Sequence, residues 1–176
     1  MEPLTDAQWT QRFTDCRRSA CHLEMRDWYG VDDERARFER FRATGYRDRD
    51  AEAEERRHWL DLMRATTRAG VQVRRARIVS EPVTEYIRFE YAGTDLNVES
   101  GEDVRWLPRR LASGIALPGN DFWLFDGTSV LFNHFTGDGR SLGQEITDNP
   151  DVVRLCTSAF EAVWAAAIPH AEYELV

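Results

Sequence analysis

The stretch 120–135 constrains the fold most, because two runs rich in aromatic and β-branched residues flank Asp126-Gly127. Asp-Gly favours a tight turn, since both residues tolerate positive φ angles. Alternate residues of Phe122–Phe125 point to opposite sides of a strand, and all four are apolar. The sequence therefore predicts a hairpin whose first strand is buried on both faces of a sheet.

Hydrophobic periodicity predicts helices and strands on both sides of this hairpin. Helices are predicted from Thr5 through a capping box, from Asp32 to Gly45, over about 50–69, from Ser80-Glu81-Pro82 to Gly93, and from Asn149-Pro150. Strands are predicted at 21–25, 71–79 and 104–107, ahead of the hairpin. This order indicates an α+β or α/β fold, a mixed sheet with packed helices, in a single domain over 1–176. A boundary near Gly70 would divide a helix-rich part, 1–70, from a sheet-rich part, 71–176.

Charge and composition exclude several classes of protein. The net charge of −8 at pH 7 argues against direct binding to nucleic acid or anionic lipid. No apolar run reaches the length of a membrane span, and residues 1–6 do not resemble a secretion signal, so we expect a cytoplasmic protein. Three cysteines in no CxxC pair indicate idle or buried thiols, and we predict neither a metal nor another cofactor.

All 23 basic residues are arginine, which excludes every chemistry that needs lysine. A Walker A lysine, a Schiff-base lysine, a Ser-Lys pair and the His-x-Lys signature of phospholipase D-type phosphodiesterases are all ruled out.

Several ordered segments of the chain resemble an actinobacterial family of uncharacterised domains, whose members are commonly encoded beside Xre-type helix-turn-helix regulators. They are 19–24 with Tyr29, 70–77, Glu81–Tyr86, Asn97 with 101–105, Arg109 or Arg110, and Asp121–Asp126. The second half is also similar, in its order of strands, Glu-Pro helix and hairpin, to ligand-sensing domains that share the phospholipase D sandwich fold but lack its catalytic residues. This resemblance implies a degenerate phospholipase D-like sandwich preceded by a helix-rich part.

Arginines on two predicted strands form the main candidate site. On the first strand Arg75 and Arg77 point to one face and Arg74 to the other, and they could line an anionic pocket with Arg105, Arg109 and Arg110. Acidic residues nearby in sequence, including Glu81 and Glu102, favour a structural ion-pair network over such a pocket.

The acids and histidines near the hairpin have simpler explanations. Asp121 and Asp126 occupy ordinary turn positions, and His22, His58, His134 and His170 lie in no nucleophile motif. The aromatic residues, Trp123 among them, favour core packing with a possible pocket beside it.

These observations predict a non-enzymatic accessory or signal-receiving domain that works with a helix-turn-helix regulator, by binding that partner or a small ligand such as an anion. The alternative is a hydrolase or nuclease acting on a phosphorylated substrate, with arginines as anion clamps. In that case an arginine such as Arg75 or Arg105 and a carboxylate such as Glu81 or Asp121 would converge on a concave site. The candidate binding residues are Arg75, Arg77, Glu81, Tyr86, Arg105 and Trp123.

Overall fold

A seven-stranded mixed sheet forms the middle of the molecule in the computed structural model, which describes residues 3–30 and 32–176. The helices are α1 (Asp6–Asp15), α2 (Asp32–Thr44), α3 (Arg49–Glu55), α4 (Arg57–Arg68), α5 (Glu85–Glu99) and α6 (Pro150–Ala166). The strands are β1 (Ser19–Glu24), β2 (Gln72–Val79), β3 (Asp103–Pro108), β4 (Phe122–Phe125), β5 (Ser129–Phe135), β6 (Ser141–Thr147) and β7 (Ile168–Pro169). Their order across the sheet is β6-β5-β4-β1-β2-β3-β7.

Strand β1 occupies the centre of the sheet. It pairs in parallel with β2, which pairs in parallel with β3, and it pairs antiparallel with β4. The neighbouring pairs β4–β5 and β5–β6 are antiparallel. Strand β1 precedes Gly70 and lies between two strands that follow it, so both parts of the chain contribute to one sheet.

The two faces of the sheet carry different covers. Helix α6 packs on one face, where Phe160 contacts a buried cluster that includes Leu23 and Phe122. Helices α1 and α4 pack on the other, where Phe13 and Trp123 belong to a second cluster. The alternation predicted along β4 is confirmed, because Phe122 and Trp123 lie on opposite faces.

The predicted hairpin is confirmed. Residues Phe122–Phe125 pair with Ser129–Phe132, and the turn residues Asp126 and Gly127 have φ angles of 53° and 68°. The capping box at Thr5 is also present, since its hydroxyl accepts a hydrogen bond from the Gln8 N–H. Local chemistry was sufficient for both features.

Helix α5 differs from its prediction at both ends. It begins after Thr84, whose hydroxyl accepts from the Ile87 N–H at 3.1 Å, and the Glu81–Pro82 bond that precedes it is cis. It continues through Gly93 to Glu99, so Gly93 is not a helix stop. A side chain at position 93 would collide with the Arg47 guanidinium, so close packing explains why this residue is glycine.

Three further elements depart from the sequence predictions. The helix expected over about 50–69 divides at Arg56, which ends α3 and precedes α4. Strand β6 was not predicted, because it is an edge strand with exposed residues and a glycine, and neither was the two-residue β7. Among the residues that the structure describes, no helix combines the length and apolar character needed to cross a bilayer.

Candidate functional site

A cavity of about 530 Å³ lies between the sheet and its helical cover, on the face opposite α6. Residues of β1, β2, β4 and β5 form its floor, and residues of α1, α2, α4 and α5 form its walls. Its volume is in the range of small-molecule sites.

The floor consists of two rows of side chains that cross neighbouring strands. In the first row Arg75, His22 and Trp123 are register partners on β2, β1 and β4. In the second row Arg77 on β2 and Glu24 on β1 are register partners. Asp121, the residue immediately before β4, continues this row. Because side chains alternate along a strand, both rows point to the same face and into the cavity.

A buried ion network connects the two rows. One oxygen of Glu24 lies 2.7 Å from Arg75, and its other oxygen accepts from Arg77. Arg75 also bonds Glu102 at 2.8 Å, and Arg77 bonds Glu90 at 2.7 Å. These short contacts leave neither arginine as an uncompensated cation.

The pKa values reflect this pairing. Burial raises the pKa of Glu24, but the positive charges of Arg77 and Arg75 outweigh burial, so the net shift is well downward. The pKa of Glu102 is also lowered, because Arg75 outweighs the opposing effect of burial. Both carboxylates therefore stay ionised and hold the arginines in place.

His22 is a neutral hydrogen-bond donor toward the cavity. Burial lowers its pKa to about 3, and it is only 8% exposed. Its Nδ1 lies 2.9 Å from Arg75, and a guanidinium can only donate, so Nδ1 accepts and the ring proton is on Nε2. The ring stacks on Trp123 with centroids 4.3 Å apart, which fixes its orientation.

Asp121 is a buried carboxylate held by neutral donors. It accepts from the Met25 N–H at 2.9 Å and from the Tyr29 hydroxyl, and it is 3% exposed. Burial raises its pKa to about 6, and the negative charge of Glu24 adds to the rise. No cationic side chain lies within ion-pair distance of Asp121 in the described chain.

A second carboxyl with a raised pKa lies on the helical wall. Glu34 accepts from the Tyr86 hydroxyl at 2.6 Å, and burial, followed by the charge of Glu90, raises its pKa to about 7. Arg37 is 4.0 Å away and compensates it only weakly.

Three wall arginines differ in how well they are held. Arg47 pairs with Glu52 and lies 3.8 Å from the centre of the Phe89 ring. Arg56 donates to the Asn97 side chain at 2.6 Å. Arg37 makes only a loose ion pair with Glu55, at 3.6 Å, in addition to its contact with Glu34.

Four of the six predicted site residues line the cavity: Arg75, Arg77, Tyr86 and Trp123. Arg105 lies on the opposite face of the sheet, where its guanidinium stacks 4.2 Å from the Trp164 ring of α6. Glu81 lies outside the cavity and accepts from Tyr173 at 3.0 Å. The structure therefore brings Arg75 together with Asp121, and separates Arg105 and Glu81 from them.

Several cavity residues carry little sequence signal for a site. His22 and Glu24 alternate on one side of β1, and this period of two, placed beside the Arg75 and Arg77 pair on β2, is the only local signal for them. Tyr29 and Glu34 come from a loop and a helix whose positions depend on tertiary packing. No sequence pattern connects them to Asp121.

Two solved structures have a similar fold. A phospholipase D family member, Nuc from Salmonella typhimurium, matches with a TM-score of 0.51 and 11% identity, covering 91% of this chain and 86% of that chain. NucT from Helicobacter pylori matches with a TM-score of 0.51 and 9% identity, covering 91% and 87%. The molecule thus has a phospholipase D-like fold, which confirms the predicted fold class.

The chain belongs to the family described as a domain of unknown function, DUF6879, whose model matches residues 7–175. The predicted membership in a family of uncharacterised domains is confirmed. The actinobacterial origin and the neighbouring regulator gene stay predictions. The sequence matches no curated protein.

The cavity offers a ligand hydrogen-bond donors and acceptors that are fixed in position. Within the described residues no group of three or more His, Cys, Asp and Glu side chains is arranged to hold a metal ion. The remaining groups are hydrogen-bonding side chains and aromatic rings that are already oriented by neighbours.

Proposed function

We propose that this protein is a non-enzymatic, signal-receiving domain that binds a small ligand in the cavity and works with a helix-turn-helix regulator in the cytoplasm. The observation that carries the proposal is the state of His22. His22 lines the cavity, Arg75 engages the lone pair of its Nδ1, and the ring proton is therefore on Nε2. An imidazole in this state donates a hydrogen bond and has no lone pair available for attack on a substrate.

The composition supports the same proposal. The phospholipase D-type signature needs a lysine two positions after its histidine, whereas Glu24 lies two positions after His22 and the chain has no lysine. The arginines of the floor are matched by carboxylates, so they are poorly suited to clamp a phosphate during hydrolysis. These features favour binding over the alternative of a hydrolase or nuclease.

The charge of the protein supports a basic protein partner. The net charge of −8 would attract a positively charged surface and would repel the DNA that the partner binds. A role in which this domain receives a signal and passes it to a regulator fits both properties.

The test uses the purified chain and the helix-turn-helix protein encoded by a neighbouring gene. Calorimetry should detect a complex that weakens at high salt, because charge attraction contributes to it. Trp123→Ala alters the cavity, and Arg105→Gln alters the opposite face as a matched control. A missing complex, combined with turnover of bis(4-nitrophenyl) phosphate by the wild type but not by His22→Gln, would establish the hydrolase alternative instead.

A further inference from the structure

We infer that the cavity selects a ligand with a positively charged nitrogen, such as an organic ammonium or amidinium, and that Asp121 is its counter-ion. This inference rests on the proposed function, in which the cavity binds a small ligand, and adds the chemical class of that ligand.

Carboxylates slightly outnumber guanidiniums around the cavity. Six carboxylates line it, against five guanidiniums: Asp6, Glu24, Glu34, Glu55, Glu90 and Asp121, against Arg37, Arg47, Arg56, Arg75 and Arg77. Glu52 and Glu102 pair with two of these arginines from behind the wall, and Arg40 reaches Glu55 from outside at 3.2 Å. Arg26 also belongs to the set, because its guanidinium lies 5.2 Å from the centre of the Phe135 ring. With all groups ionised the acids exceed the bases by one, and the net field of the set favours a cation over an anion.

Asp121 is the buried carboxylate of this set that has no guanidinium within ion-pair distance in the described chain. Glu24, Glu90 and Glu102 each lie within 2.8 Å of a guanidinium. Asp121 is 3% exposed, and within the described residues its hydrogen bonds come only from a backbone N–H and a tyrosine hydroxyl. Buried charges in proteins are normally paired, so a bound cation would supply the missing partner.

The surroundings of Asp121 suit a nitrogen cation. Asn133, whose backbone N–H donates to the Asp121 carbonyl at 2.8 Å, follows it in the row across the sheet and also lines the cavity. The rings of Tyr29 and Phe135 meet edge to face at 5.2 Å, and Trp123 lies two positions along the same face. The Arg26 guanidinium already lies over the Phe135 ring, 5.2 Å from its centre, so Tyr29 and Trp123 are the rings left for a ligand cation. Aromatic faces next to a carboxylate bind ammonium groups well.

The arginine-rich strands suggested an anionic ligand, but the cavity offers an anion fewer free partners than it offers a cation. Arg37 is the least engaged cavity arginine in the described chain, but Glu55 and Glu34 stand 3.6 and 4.0 Å from it. An anion placed there would meet both carboxylates. The His22 Nε2–H is a neutral donor that suits a carbonyl or hydroxyl of the same cationic ligand.

The experiment compares small amines with the carboxylates and alcohols of matching shape, for example phenethylamine, 3-phenylpropanoate and 2-phenylethanol. Binding to the full chain is measured by ligand-observed NMR and calorimetry at neutral pH. The amines should bind about tenfold or more tightly than their partners, as one compensated ion pair would give. Asp121→Asn should remove this preference, while Asp103→Asn, an exposed change on β3, should keep it.

The outcomes distinguish the inferred ligand class from the proposed function. If carboxylates or alcohols bind the cavity as tightly as the amines, the inference is wrong and the proposed function stands. If none of the three classes binds, the proposed function itself is contradicted. Should Asp121→Asn fail to fold, the wild-type ranking of the three classes still decides.

Discussion

The Asp121→Asn substitution should change how stability depends on pH. Burial raises the pKa of Asp121 from its ordinary 3.8 to about 6. A carboxyl whose pKa is higher in the folded protein than in the unfolded chain binds its proton more tightly when folded. Its stabilising contribution is therefore complete below pH 3.8 and is lost as the pH rises through about 6. The loss amounts to about 3 kcal/mol.

Asparagine has nearly the same shape and does not titrate, so this loss should be absent in the variant. Between about pH 4 and about pH 8 the unfolding free energy of Asp121→Asn should gain up to about 3 kcal/mol relative to wild type. Urea unfolding followed by tryptophan fluorescence at a series of pH values measures this difference, and Asp103→Asn serves as the exposed control. Parallel pH profiles for wild type and Asp121→Asn would refute the reasoning.

Three further predictions concern the ion network, the hairpin and the ligand. Glu102→Gln removes one of the two carboxylates that pair with buried Arg75 and should lower the free energy of urea unfolding by about 3–5 kcal/mol. Glu161→Gln, which removes the exposed partner of Arg74, should lower it by under about 1 kcal/mol. Similar losses for the two variants would mean that the network is not buried. Asp126 accepts hydrogen bonds from the backbone N–H groups of Arg17, Arg18 and Ser19, and these bonds outweigh burial and lower the pKa of its carboxyl. Asp126→Asn should therefore lose less unfolding free energy than wild type as the pH falls through that pKa, and the same dependence of stability on pH in both proteins would contradict this. Affinity for an amine should fall about tenfold from neutral pH to about pH 5, because the carboxyl of Asp121, which faces Glu24, Tyr29 and Arg26, takes up a proton in this range. An affinity that calorimetry finds independent of pH would contradict this.

Local chemistry predicted the hairpin and the capping box, because each depends on residues within a few positions. The helix starting at Ser80 and ending at Gly93 was wrong for a tertiary reason. Gly93 is small because the Arg47 guanidinium packs against it, and a sequence pattern cannot separate this role from that of a helix stop. Strand β6 lies at the edge of the sheet and gives a weak strand signal, because its apolar residues Leu142 and Ile146 are exposed and Gly143 interrupts it.

The candidate site could be predicted only in part. The alternation of Arg75 and Arg77 places them on one face, and the pairing of Arg75 with Glu102 was foreseeable because Glu102 is among the acids nearby in sequence. The position of His22 and Asp121 beside them depends on the order of strands, which brings β1 between β2 and β4. Arg105 was grouped with Arg75 by sequence proximity of their strands, but Ala76 is its register partner, and Arg105 therefore points toward α6.

The titration of the Asp121 carboxyl by carbon-detected NMR, with and without phenethylamine, shows whether Asp121 is the counter-ion of a cationic ligand. In the free protein its pKa should be about 6, and bound amine should lower it, because a neighbouring positive charge favours the ionised form. The matching 3-phenylpropanoate should leave it unchanged. A pKa that does not respond to the amine, or that rises with the carboxylate, would contradict the assignment of Asp121 as the counter-ion of a cationic ligand.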